Sequence, residues 1–374
     1  MKIHRRKTRQ IHVGGVPIGG EAPISVQSMT TTDTRDVSAT LSEIRLLEAA
    51  GCEIVRVAVV DEEAAAALKP IKDQITIPLI SDIHFNHRLG IQAAGIVDCV
   101  RVNPGNIGGA DRLREVISAC RDNGIPMRIG VNSGSLEQDL LLRYGYPTPE
   151  AMVESTLRAV EIAESMNFHE LKLSLKASHV GLCIDAYRLI SKQTDYPLHL
   201  GITEAGPAFA GSIKSGIGLG LLLADGIGDT IRVSLAADPV EEVKAAFEIL
   251  KTLELRHRGI NLIACPTCGR LEFDMFKLIR ELEGRLAHIK EPLNVSVLGC
   301  AVNGIGEGME ADIGIAGGKD SGLLFKKGQV VRKVTEGEML EVLVAEVEAM
   351  ARERASKSPS PEAKDALTSG TMEV

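Results

Sequence analysis

The chain has 374 residues, 44% hydrophobic and 25% charged, the make-up of a folded soluble protein with room for one large domain and a smaller companion. Its 42 Lys and Arg against 50 Asp and Glu give a formal charge of -8, so no global field draws it to a polyanion and any phosphate site must be local. Aromatic residues make up 3% and Trp 0, which removes the rings on which a single-strand nucleic-acid binder stacks bases.

The first segment carries Lys2, Arg5, Arg6, Lys7 and Arg9 but no apolar run follows it, so it is not expected to act as an export signal. No apolar stretch nears the roughly 20 residues that span a bilayer; Ile217 to Ala224 is short and holds two glycines. A cytoplasmic protein with no membrane or nucleic-acid partner is expected, and seven cysteines, an odd number, argue against a disulfide framework.

From Ile24 the chain repeats one theme, a β-branched or apolar run followed by a helical pattern. The runs are Ile24–Met29, Glu53–Val59, Pro78–Ile83, Cys99–Asn103, Met127–Asn132, Leu171–Ala177, Leu198–Glu204 and Thr230–Leu235. Leu41, Ile44 and Leu47 mark a helix stopped by Gly51, and Thr148 and Pro149 open another that reaches Met166. Asp238, Pro239 and Glu241 read as an N-cap, an N1 proline and a capping-box acid for a helix ending near Leu253. Eight such units suit an α/β fold of the TIM (β/α)8 type, which typically takes about 250 residues. An open doubly wound sheet would instead place G-x-G-x-x-G after its first strand, and that motif is absent.

Beyond Gly259 the pattern changes to Asn261–Ala264 as a strand, Leu271 to Ile289 as a helix, Val295–Leu298, Ile313–Ala316, Leu323–Phe325 and Val330–Val334 as strands, and Gly337 to Ala355 as a last helix. The expected division is a barrel over 1–258, a smaller α/β domain over 259–355, and a disordered Ser/Pro-rich tail over 356–374.

In such a barrel the C-terminal strand ends converge on one mouth. The runs place there Arg56, Asp82 and His84, Arg101 and Asn103, Arg128 and Asn132, Ser174 and Lys176, Thr203 and Glu204, and Arg232 and Ser234. Buried arginines need partners. Two readings stand: a structural ion network inside the barrel, or convergence on a multiply anionic ligand. Four arginines and one lysine face only Asp82 and Glu204, and that surplus favours a diphosphate-sized anion, with Gly105 and Gly130 letting backbone approach it. His84 and His87 read as hydrogen-bonded mouth histidines and not as a metal pair.

The second domain carries Cys265-Pro266-Thr267-Cys268 and, well downstream, Gly299-Cys300. Three thiolates are one short of a closed zinc site, whose fourth ligand would be His257 or His288. Glu307, among glycines, is the candidate labile fourth ligand of a 4Fe–4S cluster, whereas a thioredoxin-like dithiol has no use for Cys300. Cys52, Cys99, Cys120 and Cys183 read as core thiols.

The segments Val26-Gln27-Ser28-Met29-Thr30, Asp82-Ile83-His84-Phe85, Arg101 to Gly108, Arg128-Ile129-Gly130-Val131-Asn132, Gly201 to Gly206 and Cys265 to Cys268 together resemble the bacterial 4-hydroxy-3-methylbut-2-enyl diphosphate synthases, over about residues 5–350. The resemblance implies two-electron reductive ring opening and dehydroxylation of 2-C-methyl-D-erythritol 2,4-cyclodiphosphate, with electrons from reduced flavodoxin or ferredoxin. It implies a 4Fe–4S cluster on Cys265, Cys268, Cys300 and Glu307. It also implies a homodimer in which one subunit's cluster domain closes over the other's barrel mouth. Carried over for substrate are Arg56, Arg101, Asn103, Arg128, Asn132, Lys176 and Ser234, with Glu204 as proton donor. Ile305 departs from the family's Asn-Gly-Pro-Gly-Glu loop, which frees φ and implies a looser glutamate loop. Two other classes remain open from the residues: a barrel aldolase or transferase using Lys176 as nucleophile under a zinc-bound lid, and a non-catalytic iron–sulfur sensor.

Overall fold

The computed structural model describes residues 3–300, 306 and 308–357. The chain divides into two compact units, Met1–Arg256 and His257–Val374. Among the described residues no helix is long and apolar enough to cross a membrane.

The first unit opens with a hairpin, β1 (Ile11–Val13) and β2 (Val16–Ile18), turned by Gly14-Gly15 with Gly14 at φ 54°. Its signal in the sequence is the pair of glycines between Val13 and Val16, a hairpin signature. Ile11, Val13 and Ile18 pack on Ile54, Ile80 and Cys99. The arginines around it are structural. Arg6 donates to the carbonyls of Ser191 and Tyr196, and Arg5 and Thr8 both reach Asp229.

The barrel strands are β3 (Ser25–Met29), β4 (Ile54–Val59), β5 (Leu79–Ile83), β6 (Cys99–Val102), β7 (Met127–Asn132), β8 (Leu171–Lys176), β9 (His199–Leu200) and β10 (Thr230–Ile231). All pair in parallel in the order β8-β7-β6-β5-β4-β3-β10-β9, and a Leu173–Leu198 bridge closes the ring. These are the eight expected runs, the last two with much shorter ladders. The helices between them are α1 (Val37–Ala50), α2 (Glu62–Lys72), α3 (His87–Ala94), α4 (Ala110–Asp122), α5 (Gln138–Tyr144), α6 (Pro149–Ser165), α7 (Val180–Ile190), α8 (Ala208–Ala224) and α9 (Pro239–Thr252).

Local signals act as expected at most ends. Leu41, Ile44 and Leu47 bury the inner stripe of α1, and Gly51, at φ 105°, ends it in the left-handed conformation that costs glycine nothing. Thr148 caps α6 through the Ala151 amide. At α9, Asp238 caps through Val240, but Glu241 pairs with Lys244 on the surface and takes no capping-box role. Its neighbour Glu242 turns inward instead.

Outward-facing Val55, Val57, Val100, Val102, Ile129, Leu173 and Leu200 meet the helices in one large apolar core. The other strand face is mostly polar. Carrying the register round the barrel with its usual stagger stacks inward side chains from alternate strands in layers. From the floor these are Ile54, Cys99, Lys172 and Thr230; then Gln27, Ile80, Arg128 and His199; then Arg56, Arg101, Ser174 and Arg232; then Met29, Asp82, Gly130 and Gly201; and at the rim Ala58, Asn103, Lys176 and Ser234. Where most barrels hold Val, Ile and Leu, this one holds charge.

Lys172 lies in the floor layer, fully buried, and among the described residues its Nζ has no hydrogen-bond partner. Burial, with the fields of Arg128 and Arg56, pushes its ammonium down to about 8. Folding at pH 7 therefore works against a charge that water would hold to about pH 10.4. Lys172→Met is expected to raise the unfolding free energy at pH 7 by about 2–3 kcal/mol. The advantage should shrink as the pH climbs from about 8 toward about 10, where the unfolded lysine also loses its proton. Urea unfolding at the two ends of that range measures it, and a variant no more stable than the parent at pH 7 would mean that Lys172 has an anionic partner.

The second unit is a five-stranded mixed sheet in the order β11 (Ile260–Ala264), β12 (Leu293–Leu298), β13 (Ile313–Gly318), β14 (Ser321–Lys326) and β15 (Gln329–Thr335), its first three strands parallel and its last two antiparallel. Helices α10 (Met275–Leu286) and α11 (Met339–Lys357) pack on it through Leu278, Leu282, Leu343 and Val347. Because β11 and β12 are neighbouring parallel strands, with Ala264 opposite Val297, the loops that follow them leave the sheet side by side.

Candidate active site

Barrel polarity concentrates around Asp82. Its carboxylate accepts from Arg101 Nη1 at 2.7 Å and faces Arg56 Nε at 3.5 Å and His84 Nε2 at 3.6 Å. Burial alone would push this carboxyl up, but Arg56 and Arg101, with His84 and the field of Arg128, hold it well below the usual carboxylate range. One carboxylate thus serves two guanidiniums. Arg232 has its own partner, Glu242 from α9, which also accepts from Ser28 Oγ and the Leu235 amide. Sequence reading missed Glu242; the available signal was a glutamate on the buried stripe of α9 beside Val243 and Ala246.

Among the described residues Arg128 and Lys176 face no carboxylate within ion-pair distance, and Arg56 and Arg101 share the one on Asp82. Arg128, 1% exposed, leaves Nε and Nη1 without a partner among the described residues, as does Arg101 Nε. Burial, then Arg101, pushes Arg128 down to about 10, so it keeps its charge at neutral pH. Arg56 lies under Met29, whose Sδ takes both Nε and Nη2. Lys176, at the rim, reaches His199 Nε2 at 3.3 Å. The pair reading therefore holds for Arg232 and, through Asp82, for Arg101 and Arg56, while Arg128 and Lys176 have no carboxylate partner among the described residues.

The glycines act differently from expectation. A Cβ on Gly130 would stand 2.6 Å from Arg101 Nε, and one on Gly201 would stand 2.6 Å from Lys176 Nζ, so both make room for cationic side chains. Gly130 offers its carbonyl to Arg101, and the Gly105 amide is taken by Asn103 Oδ1. The Gly105 amide is thus already engaged within the loop.

Of the other expected residues, Asn103 is buried and binds Ser135 Oγ at 2.6 Å, ordering the loop after β7. His84 bridges Arg101 and Asn106, and His87 faces Glu115 on α4 at 3.2 Å. Asn132, Thr203 and Ser234 are half-buried at the mouth. Glu204 is exposed at φ 53°, a left-handed backbone unusual for glutamate and of the kind kept at functional turns. Among the described residues it has no ion-pair partner.

In the second unit, Cys265 follows β11 and Cys300 follows β12. Cys265 and Cys300 are half-buried and Cys268 is exposed. The Gly299 amide donates to Cys265 Sγ at 3.1 Å. Cys268, then Cys300, each charging and hydrogen bonding, raise the Arg270 guanidinium, which places both sulfurs beside one cation. The donor set of three cysteines on adjacent loops, with an N–H···S bond and a neighbouring positive charge, fits a thiolate-held iron–sulfur cluster. Among the described residues no group of three or more His, Cys, Asp or Glu is drawn together as tightly as a bound metal ion would hold it. Glu307 and Ile305 lie outside the described residues. The other four thiols are buried, and burial pushes Cys52 up to about 12 and Cys183 up to about 11.

The GcpE TIM-barrel domain model matches residues 8–247, and the GcpE protein C-terminal domain model matches residues 261–349. The chain belongs to the GcpE family. Among its relatives, a 4-hydroxy-3-methylbut-2-en-1-yl diphosphate synthase (flavodoxin) of Acidithiobacillus ferrooxidans is 58% identical over 353 residues, 94% of this chain and 96% of the relative. One of the same name from Geobacter sulfurreducens is 57% identical over 351 residues, 94% of this chain and 99% of that one. A type I 3-dehydroquinate dehydratase structure from Clostridium difficile matches 66% of this chain and 98% of its own with a TM-score of 0.50 at 16% identity, a likeness of fold alone. For a GcpE member the barrel and the cysteine-bearing sheet are thus one family's two parts.

Proposed function

We infer that the chain is a 4-hydroxy-3-methylbut-2-enyl diphosphate synthase of isoprenoid precursor biosynthesis, reducing 2-C-methyl-D-erythritol 2,4-cyclodiphosphate with electrons from reduced flavodoxin or ferredoxin. The observation that carries this reading is 58% identity to a synthase over 94% of the chain. The barrel supports it, since the unanswered charge of Arg128, with the Lys176 amine at the rim, suits a dianionic diphosphate.

Two electrons and one proton enter; the ring C–O bond to phosphate and the C–OH bond break, and water and a trianionic linear diphosphate leave. Arg56, Arg101, Arg128 and Lys176 hold the diphosphate and stabilise the oxygen that gains charge as the ring opens. Asn132, Thr203 and Ser234 orient the carbon skeleton by hydrogen bonds from the mouth. Glu204 holds the proton for the departing hydroxyl, its backbone conformation setting the carboxyl at the end of the seventh unit. Cys265, Cys268, Cys300 and Glu307 would hold a 4Fe–4S cluster, which when bound supplies single electrons and an open iron coordination position. The same reading extends to a cytoplasmic homodimer, which analytical ultracentrifugation of the intact protein checks.

Anaerobic purification followed by visible absorption, iron and sulfide analysis and turnover with reduced flavodoxin tests it. Brown protein with about four irons per chain that converts the cyclic diphosphate is the expected result. Colourless zinc-loaded protein would overturn it, as would cluster-loaded protein that fails to turn over with any reductant.

A further inference from the structure

The barrel interior contains a hydrogen bond between two bases that diphosphate binding by itself does not use. Lys176 Nζ stands 3.3 Å from His199 Nε2, and His199 Nδ1 faces Thr230 Oγ1 at 3.4 Å. In the tautomer whose Nδ1–H donates to the threonine hydroxyl, the neutral imidazole presents Nε2 as an acceptor for Lys176. The main chain at His199 is held from behind. Tyr187 Oη donates to the His199 carbonyl at 2.6 Å and itself accepts from the Leu175 amide. Gly201, by lacking a Cβ, leaves the space that Lys176 Nζ occupies.

Charged groups surround this pair from several strands and from α9. Arg56 comes from β4, Arg101 from β6, Arg128 from β7, Arg232 from β10 and Lys172 from lower on β8. Asp82 of β5 is engaged by Arg56 and Arg101, and Glu242 of α9 by Arg232. Cys183 and Tyr187 of α7 are held protonated by burial. Burial first, then Arg128, Arg56, Arg232 and Arg101, pushes the Lys176 ammonium well below its ordinary value. Burial, then Lys176 and Arg128, does the same to the imidazolium of His199. In the ligand-free barrel the surroundings thus disfavour the charged forms of both the amine and the imidazole. A cyclic diphosphate brings two negative charges and no proton that titrates near neutrality, because each phosphorus is bound in both an ester and the anhydride.

We propose that His199 is a positioning residue for Lys176: its Nε2 accepts from the ammonium, so that Lys176 takes up a proton as the diphosphate enters and the cradle gains this positive charge only when the anion is present. The inference rests on the diphosphate reading of the barrel. It makes binding weaken as the pH rises, through protonation of the protein and not of the ligand.

Calorimetric titration of the cluster-loaded protein with the cyclic diphosphate at pH 8, in two buffers of different ionisation enthalpy, counts the protons. Uptake of about one proton per ligand is expected. His199→Leu, which removes the acceptor, should abolish most of that uptake and raise KM at pH 9 by about tenfold with kcat at saturation unchanged, and His199→Gln, which keeps an acceptor oxygen, should restore both. Lys172→Met should keep the uptake, so its loss there would move the proton to the floor lysine and overturn the inference even where His199→Leu does not fold. Tight binding by the parent protein with no proton taken up would also overturn it. No binding at all would overturn the diphosphate reading instead.

Discussion

Cys300→Ser is expected to abolish the visible absorption of anaerobically purified protein and to lower turnover by about 100-fold or more, since a serine oxygen is a hard, weakly acidic replacement for a soft thiolate. Cys300 follows β12, whose Val295 and Val297 are fully buried in the sheet core, so far-ultraviolet circular dichroism should be unchanged. Cys120→Ser makes the contrast. Cys120 is a fully buried thiol on α4, held protonated by burial, and its replacement should cost stability while iron content and colour stay intact. Full iron content and parental turnover in Cys300→Ser would remove this cysteine from the cluster ligands.

The second large effect is expected at Asp82. Asp82→Asn keeps the shape but takes away the charge that answers Arg56 and Arg101 inside the barrel. Removing one member of a buried ion network leaves uncompensated charge, and a loss of about 3–5 kcal/mol in unfolding free energy at pH 7 is expected. The pH dependence has a definite sign. The folded carboxyl is held well below the usual carboxylate range, so its stabilisation is fully present above about pH 4, where the unfolded group is already ionised, and is lost as the pH falls through the folded value. Urea unfolding of the two proteins should show a constant gap between pH 6 and 8 that narrows below about pH 4. A gap that persists unchanged into acid would indicate a packing effect of the amide.

Both expectations depend on groups whose importance was only partly readable in the chain. The arginines of the strands were visible, because a charged residue inside a β-branched run is a local anomaly. Their partners were not. Glu204, counted as an inward carboxylate, is exposed, and the role falls to Glu242 from the helix after the last strand. His199 and Lys172 carry no motif and were passed over, although each is fully buried. The opening hairpin had its Gly-Gly signal but was hidden behind the basic residues that flank it.

What the chain determined by itself was local and periodic: eight strands alternating with helices, caps at Thr148 and Asp238, and two cysteine-bearing turns at strand ends. These follow from the spacing of apolar residues and from backbone preferences spanning a few positions. Which side chains meet was decided only by the closed barrel and the parallel sheet. The stagger of the strands stacks Arg128 over Lys172 and aims Lys176 at His199, and pairing of β11 with β12 brings Cys265 to the amide before Cys300. Such meetings join residues far apart in sequence, and their energies depend on exclusion of water from a shared interior, a property that no short stretch of chain possesses.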